Sequence, residues 1–390
     1  MSNIIKLVNE YVQQKANPVM GKKTFLYDYH ARNGQIVEFS GYDMPMSYEG
    51  ILKEVIATRT SASAFDVGHM GRIIFKGEDA GHFLDFVLTV QASALQPFQA
   101  KYSLIADEGG KIIDDAVLMK LNDEKFIIVV NAINKEKDLA WFREKVSSYG
   151  TGIDDVTDET SMIALQGPEA KKVLQPMCDA DLGSMKRYRG SVVKVANLEC
   201  IVSRTGYTGE DGFEIIVIEG KRAIEIWVRL IGNGAKPAGL GARDILRIEA
   251  GMPLYGNELT EGISPFEAGL DFAVNLEKGD FIGRRALAIA RSRKEKHLVG
   301  IKLHEKRVPR KRDPIFIGSL EAGNVTSGTF SPTVNASIAM GYVNAQLHCG
   351  AEVFVGVRGQ RIPSTITEMP FYDQKVYGWK RESSQPSSSG

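Results

Sequence analysis

The stretch Asp107 to Leu121 reads Asp-Glu-Gly-Gly-Lys-Ile-Ile-Asp-Asp-Ala-Val-Leu-Met-Lys-Leu and constrains the fold more than any other. Gly109-Gly110 after Asp-Glu signals a tight hairpin, because glycine takes positive φ without steric cost. The run that follows has the length and the Ile/Val content of a strand. Neighbouring strand side chains point to opposite faces. Asp114 therefore shares a face with Ile112, Ala116 and Leu118, and Asp115 shares the other with Ile113, Val117 and Met119. Each carboxylate sits among apolar neighbours, where an unpaired charge is costly. Two readings stay open at this point. One is a strand-end carboxylate that caps a turn or meets an arginine. The other is a functional carboxylate in a partly dry pocket.

The 390 residues exceed one small core and imply two or three domains. A net charge of zero gives the whole molecule no bias toward nucleic acid or membrane. Cys178, Cys200 and Cys349 are odd in number and far apart. They fit a reducing, cytoplasmic setting and argue against a disulfide framework or a cysteine-based zinc site. No apolar run nears the ~20 residues of a membrane span. Ile4, Leu7, Val8, Tyr11 and Val12 have helical spacing and lack the layout of a secretory signal. The expectation is an N-terminal extension helix over 1–23. The Ser/Gln/Pro/Gly composition after Ser383 predicts a disordered tail, drawn from 379 to 390.

Antiparallel strand signals alternate with helical ones up to Gly283, which reads as α+β rather than a doubly wound parallel sheet. Beyond it short strands recur at 299–303, 338–342, 352–357 and 361–367 with Gly-rich turns, the spacing of a small β-barrel. The body is thus divided into 24–283 and 284–378. Residues 284–312 hold twelve Lys and Arg against two Glu. Besides a solvated surface, that run fits a docking face for an acidic partner protein. Aromatic residues are not interleaved with it, which disfavours nucleic acid.

His69 has no second His or Cys at ligand spacing, so a structural role is expected and no metal. Gly239-Leu240-Gly241 lacks the third glycine of a dinucleotide loop. No phosphate-loop lysine and no Ser or Cys nucleophile pattern occurs. What remains is a group of carboxylate, arginine and tyrosine on glycine-rich loops: Asp115, Tyr207, Glu214 and Arg243. A carboxylate such as Glu214 accepts two parallel hydrogen bonds from a planar amidine-like edge. Arg243 suits a ligand carboxylate, or could fix Glu214 instead.

Several stretches in order resemble the aminomethyltransferase (T-protein) family of the glycine cleavage system. They are Phe65-Asp66-Val67-Gly68-His69-Met70-Gly71, Gly110 to Asp115, Leu165-Gln166-Gly167-Pro168, Arg204 to Glu214, Gly239 to Gly251, Leu254-Tyr255-Gly256, Asp280 to Gly283 and Val325 to Pro332. The resemblance implies two intertwined α+β folate-binding domains with antiparallel sheets, plus a C-terminal β-barrel, around a central channel. It implies tetrahydrofolate as co-substrate and H-protein, with its lipoyl group, as the partner. The implied reaction moves a methylene carbon from the aminomethylated lipoyl arm to tetrahydrofolate and releases ammonia. By the same resemblance Asp115 is the catalytic carboxylate, while Glu214 and Tyr207 recognise the pterin. Arg243 is the substrate-binding arginine. Tyr102, Asn131 and Tyr377 also line the site. The family usually has Ser at Gly68 and often Trp at Tyr42 and Phe272. An alternative on the same fold is a folate-dependent demethylase or methyltransferase of a small methylated compound. A non-catalytic folate-binding relative would carry a cysteine in the segment around Tyr207, and this chain has none there.

Overall fold

The computed structural model describes residues 21–381, so the N-terminal helix expected over 1–23 and the tail from 382 lie almost wholly outside the described residues. Two antiparallel sheets form the larger part. The first has the strand order Gly190–Val195, Leu198–Ser203, Gly212–Val217, Ser161–Gln166, Ser63–Asp66 and Lys236–Pro237. The second runs Ala100–Ala106, Ile112–Asn122, Lys125–Val130, Gly71–Lys76 and Gly152–Asp155. The chain leaves the first sheet after Asp66, builds the whole second sheet, and returns at Ser161. The intertwining follows directly from that path. Two short pairings are parallel, Lys22–Lys23 with Tyr42–Ser47 and Lys236–Pro237 with Ser63–Asp66.

Each sheet has two apolar faces, and each face has its own cover. Trp227, Ile226 and Leu230 of helix Ala223–Gly232 pack on one face of the first sheet. Phe83, Leu139 and Phe142 of helices Ala80–Val87 and Lys135–Lys145 cover one face of the second. The remaining faces meet each other: Phe65, Ala164 and Ile216 pack with Ala100, Met119 and Ile127, closed by Ala242 and Leu246 of helix Leu240–Glu249. Burying such side chains stabilises the fold by roughly 1.5–3 kcal/mol each.

The hairpin is formed by Ala100–Ala106 and Ile112–Asn122, with Leu104 opposite Asp115 and Ile105 opposite Asp114. Gly110 takes φ +76°, whereas Gly109 is not left-handed. The glycine pair is thus used unequally. Gly110 also abuts a helix, Arg284–Arg291, where an added Cβ would lie 3.1 Å from Ala286 Cβ.

The C-terminal part closes as a six-stranded barrel: His297–Leu303, Ala336–Val343, Leu320–Ser331, Pro314–Ile317, Glu352–Val357 and Gln360–Thr367. The strands Pro314–Ile317 and Leu320–Ser331 escaped the sequence reading. The second is rich in Gly, Ser, Thr and Asn, so it has no apolar alternation. It forms because its backbone pairs along Ala336–Val343, with a register shift between Val325 and Ser327. Residues 379–381 pack on the body rather than starting a tail: Arg381 Nη2 donates to Arg59 O at 3.0 Å and to Glu210 Oε2 at 3.0 Å. Among the described residues no helix is long and apolar enough to cross a membrane.

Candidate active site

The strand Ile112–Asn122 carries Asp115 half-buried, and two donors hold it. Tyr102, one strand over, donates its hydroxyl to Asp115 Oδ2 at 3.0 Å. Asn131 Nδ2 donates to Asp115 Oδ1 at 2.8 Å. Burial, and next the charge of Asp114, push the Asp115 carboxyl up to about 7. Burial and the adjacent Asp115 together raise the Tyr102 phenol well above its ordinary value, which keeps it a donor.

Asp114 is fully buried on the other face of the strand. It accepts Asn131 N–H at 3.1 Å on Oδ2. Its Oδ1 accepts Asn131 Nδ2 at 2.8 Å and Asn134 Nδ2 at 2.7 Å. Strand alternation separates the two carboxylates, and Asn131 bridges them from the end of the neighbouring strand.

On the facing wall, the loop 204–211 brings Tyr207 toward the same space. Its hydroxyl donates to Pro253 O at 2.5 Å, and burial raises its phenol, with Asp115 close enough to contribute. The Arg243 guanidinium lies over the Tyr207 ring at 4.9 Å. Glu214, in the strand Gly212–Val217, accepts Thr205 Oγ1 at 2.5 Å on Oε2. It is also the largest charge partner of Arg243, whose guanidinium burial holds below its ordinary value. Arg243 Nη1 is buried with no hydrogen-bond partner. A guanidinium nitrogen in that position is costly unless a ligand acceptor completes it. The wall therefore offers an uncommitted cation, a carboxylate with one oxygen tied back, and a ring, a set that fits a flat polar heterocycle with an acidic tail.

Of the seven expected residues, Asp115, Tyr102 and Asn131 are joined by hydrogen bonds, and Arg243 stacks on Tyr207 with Glu214 as its charge partner. The two groups are near enough for the Asp115 charge to act on Tyr207. Tyr377 stands apart from both. Its ring lies against Tyr372 at 6.3 Å and the Arg381 guanidinium at 5.9 Å. His69 is buried and pushed down to about 4 by that burial, so it is neutral near pH 7, as a structural histidine would be. No group of three or more His, Cys, Asp or Glu suited to a metal occurs among the described residues. Sequence reasoning missed Asn134, Asp138 and Thr205. Asn134 and Asp138 stand four residues apart, the N-cap and the first turn of helix Lys135–Lys145, and that spacing was the available signal.

The chain matches the GCVT N-terminal domain over residues 26–278 and the glycine cleavage T-protein C-terminal barrel domain over residues 296–373. It belongs to the glycine cleavage T-protein family. An aminomethyltransferase of Rubrobacter xylanophilus is 45% identical over 357 residues, 91% of this chain and 95% of that one. Another, of Geobacillus thermodenitrificans, is 42% identical over 365 residues, covering 90% and 99%. The crystal structure of glycine cleavage system aminomethyltransferase T from Bartonella henselae superposes with a TM-score of 0.85 at 33% identity, over 91% of this chain and 99% of that one.

Proposed function

We propose that the side chains around Asp115 are where this chain, an aminomethyltransferase of the glycine cleavage system, joins tetrahydrofolate to the methylene carbon carried on the lipoyl arm of H-protein. The carrying observation is the unpartnered Arg243 Nη1 beside Glu214 and Tyr207, across from a carboxyl poised near neutrality. Glu214 would take the amino and ring N–H edge of the pterin as paired hydrogen bonds. Tyr207 and Arg243 would bound the ring and meet an acidic group.

The S–CH2 and CH2–NH2 bonds of the donor break, and two N–C bonds form on folate. The two folate N–H hydrogens end on the thiol and on ammonia. As folate nitrogen attacks the methylene carbon it gains positive charge. A fixed, partly desolvated carboxylate stabilises that charge more in the transition state than before it. A carboxyl near pH 7 can also take the proton and return it. Tyr102 and Asn131 hold both Asp115 oxygens, so little reorganisation is needed as the charge appears.

The test is ammonia release from aminomethylated H-protein, with and without tetrahydrofolate. Release should depend on folate, and Asp115→Asn should lower turnover by roughly 100-fold or more while folate still binds. Near-normal turnover of the variant would remove Asp115 from the chemistry. Turnover of a small methylated compound without H-protein would favour the demethylase reading.

A further inference from the structure

Helix Lys135–Lys145 buries a carboxyl that the reaction does not use. Asp138 is 0% exposed, and neither of its oxygens receives an N–H or O–H from the described residues. Its neighbour within hydrogen-bond reach is the Asp114 carboxyl. Two buried carboxyls can share such a contact only with a proton between them. Asp114 already accepts three N–H donors, whereas Asp138 accepts none from nitrogen. The charge therefore belongs on Asp114 and the proton on Asp138.

We propose that Asp138 is a positioning residue that donates its proton to Asp114 and, through Asn131, fixes how Asp115 is held. The Asn131 amide points one hydrogen at each carboxylate, at 2.8 Å to Asp114 Oδ1 and 2.8 Å to Asp115 Oδ1. Turned over, it would present its oxygen to both. The charge on Asp114 sets the amide the right way round, and the Asp138 hydrogen bond keeps that charge in place. Burial and the Asp114 charge push Asp138 up to about 10, so the proton stays through the neutral range.

The titratable groups facing this cluster come from every neighbouring element. Asp114 and Asp115 lie on the strand, and Tyr102 on its partner. Tyr207 and Tyr255 come from the facing loops. Lys137 is on the same helix, but its ammonium donates to Ile113 O at 2.7 Å and Tyr255 Oη at 3.3 Å. That cation draws Asp138 down without replacing its missing donor.

Without the Asp138 donor, the Asp114 carboxyl, already raised by burial, is pushed further toward its protonated form, and Asp115 loses part of the anion beside it. That loss outweighs the Asn131 donor bond that an overturned amide would cost, because the Asp114 charge is the larger influence on Asp115. The Asp115 midpoint then falls. The inference rests on Asp115 being the reacting carboxylate, which the turnover of Asp115→Asn tests separately. The present test needs no turnover: the Asp115 carboxyl is titrated by carbon-13 NMR in the full chain, its signal assigned by its loss in Asp115→Asn. Asp138→Asn keeps a neutral donor and should hold the midpoint within about 0.3 pH unit of the wild type. Asp138→Leu should lower it by about 1 unit or more. An unmoved midpoint in folded Asp138→Leu overturns the proposal, as does an equal shift in Asp138→Asn. Should the leucine variant fail to fold, Asp138→Ala, smaller and equally unable to donate, replaces it. It should move the midpoint the same way, and no movement overturns the proposal.

Discussion

Asp115 is a group whose use and whose cost have the same origin. Burial and the neighbouring Asp114 raise its folded-state value to about 7, well above the ordinary 3.8 of an unfolded aspartate. Between those values the folded chain binds more protons than the unfolded one, so stability falls as pH rises. The contribution is fully present below about pH 4 and lost above about pH 7. Asp138, raised to about 10, stays protonated in the folded chain across that window and adds a fall of its own, which Asp115→Asn leaves in place. Asp115→Asn should therefore flatten the fall in melting temperature between pH 5 and pH 8. At pH 8 it should gain on the order of 1 kcal/mol, discounted for the half-exposed position. Thermal unfolding of both proteins across that range checks it, and parallel curves would mean that Asp115 is not strained. Residue types could indicate that one of the two carboxylates matters, because both lie in an apolar strand. They could not show that Asn131 reaches across the strand to both, since that depends on how the next strand ends. Thr205, 9 residues before Glu214, was equally out of reach until the strands Leu198–Ser203 and Gly212–Val217 were seen to pair.

At the scale of elements, the hairpin is legible because its turn chemistry is local, but its seat is not. Gly110 needs its positive φ and also the room that a missing Cβ leaves against Ala286 and Leu287. Gly283, φ +83°, approaches from the other side, where an added Cβ would lie 2.5 Å from Asp107 O. The tip is thus clamped on the start of helix Arg284–Arg291. Gly110→Ala adds a left-handed alanine and a tight contact, and should destabilise by about 1–3 kcal/mol. Gly109→Ala, with no positive φ to satisfy, should cost well under half of that. Urea unfolding of the two variants gives the comparison, and equal losses would show that the clamp is unimportant. The strand Leu320–Ser331 makes the opposite case. Its composition argues against a strand, and it exists because a closed barrel gives its backbone partners on both sides. Helices and strands with one apolar face were readable in sequence, whereas a strand dictated by closure was not.

For the whole molecule, a net charge of zero means that any steering of a partner must come from local patches. The basic stretch 284–312 is spread over a helix, a barrel strand and a loop, and several of its cations are already engaged. Lys311 Nζ donates to Gly256 O and to Asn257 Oδ1, Arg307 pairs with Glu305 at 3.1 Å, and Lys294 pairs with Asp271 at 3.3 Å. Arg285 and Arg291 differ, since both are exposed on the helix whose buried Leu287 leans on the hairpin tip. A protein seated on that helix would stand next to the hairpin that carries Asp115. If an acidic carrier protein docks there, its encounter with the enzyme gains from those two charges, and folate binding gains nothing. The double substitution Arg285→Glu with Arg291→Glu should raise the KM for H-protein by about 5- to 10-fold at low ionic strength, with the KM for tetrahydrofolate unchanged. Salt should erase the difference, because exposed charges are screened over about 3 Å at 1 M. Steady-state assays at low and high salt, varying each substrate in turn, separate the cases. A rise in both KM values, or one that salt leaves intact, would mean that the substitutions disturb the hairpin clamp, and the docking face would have to be sought elsewhere.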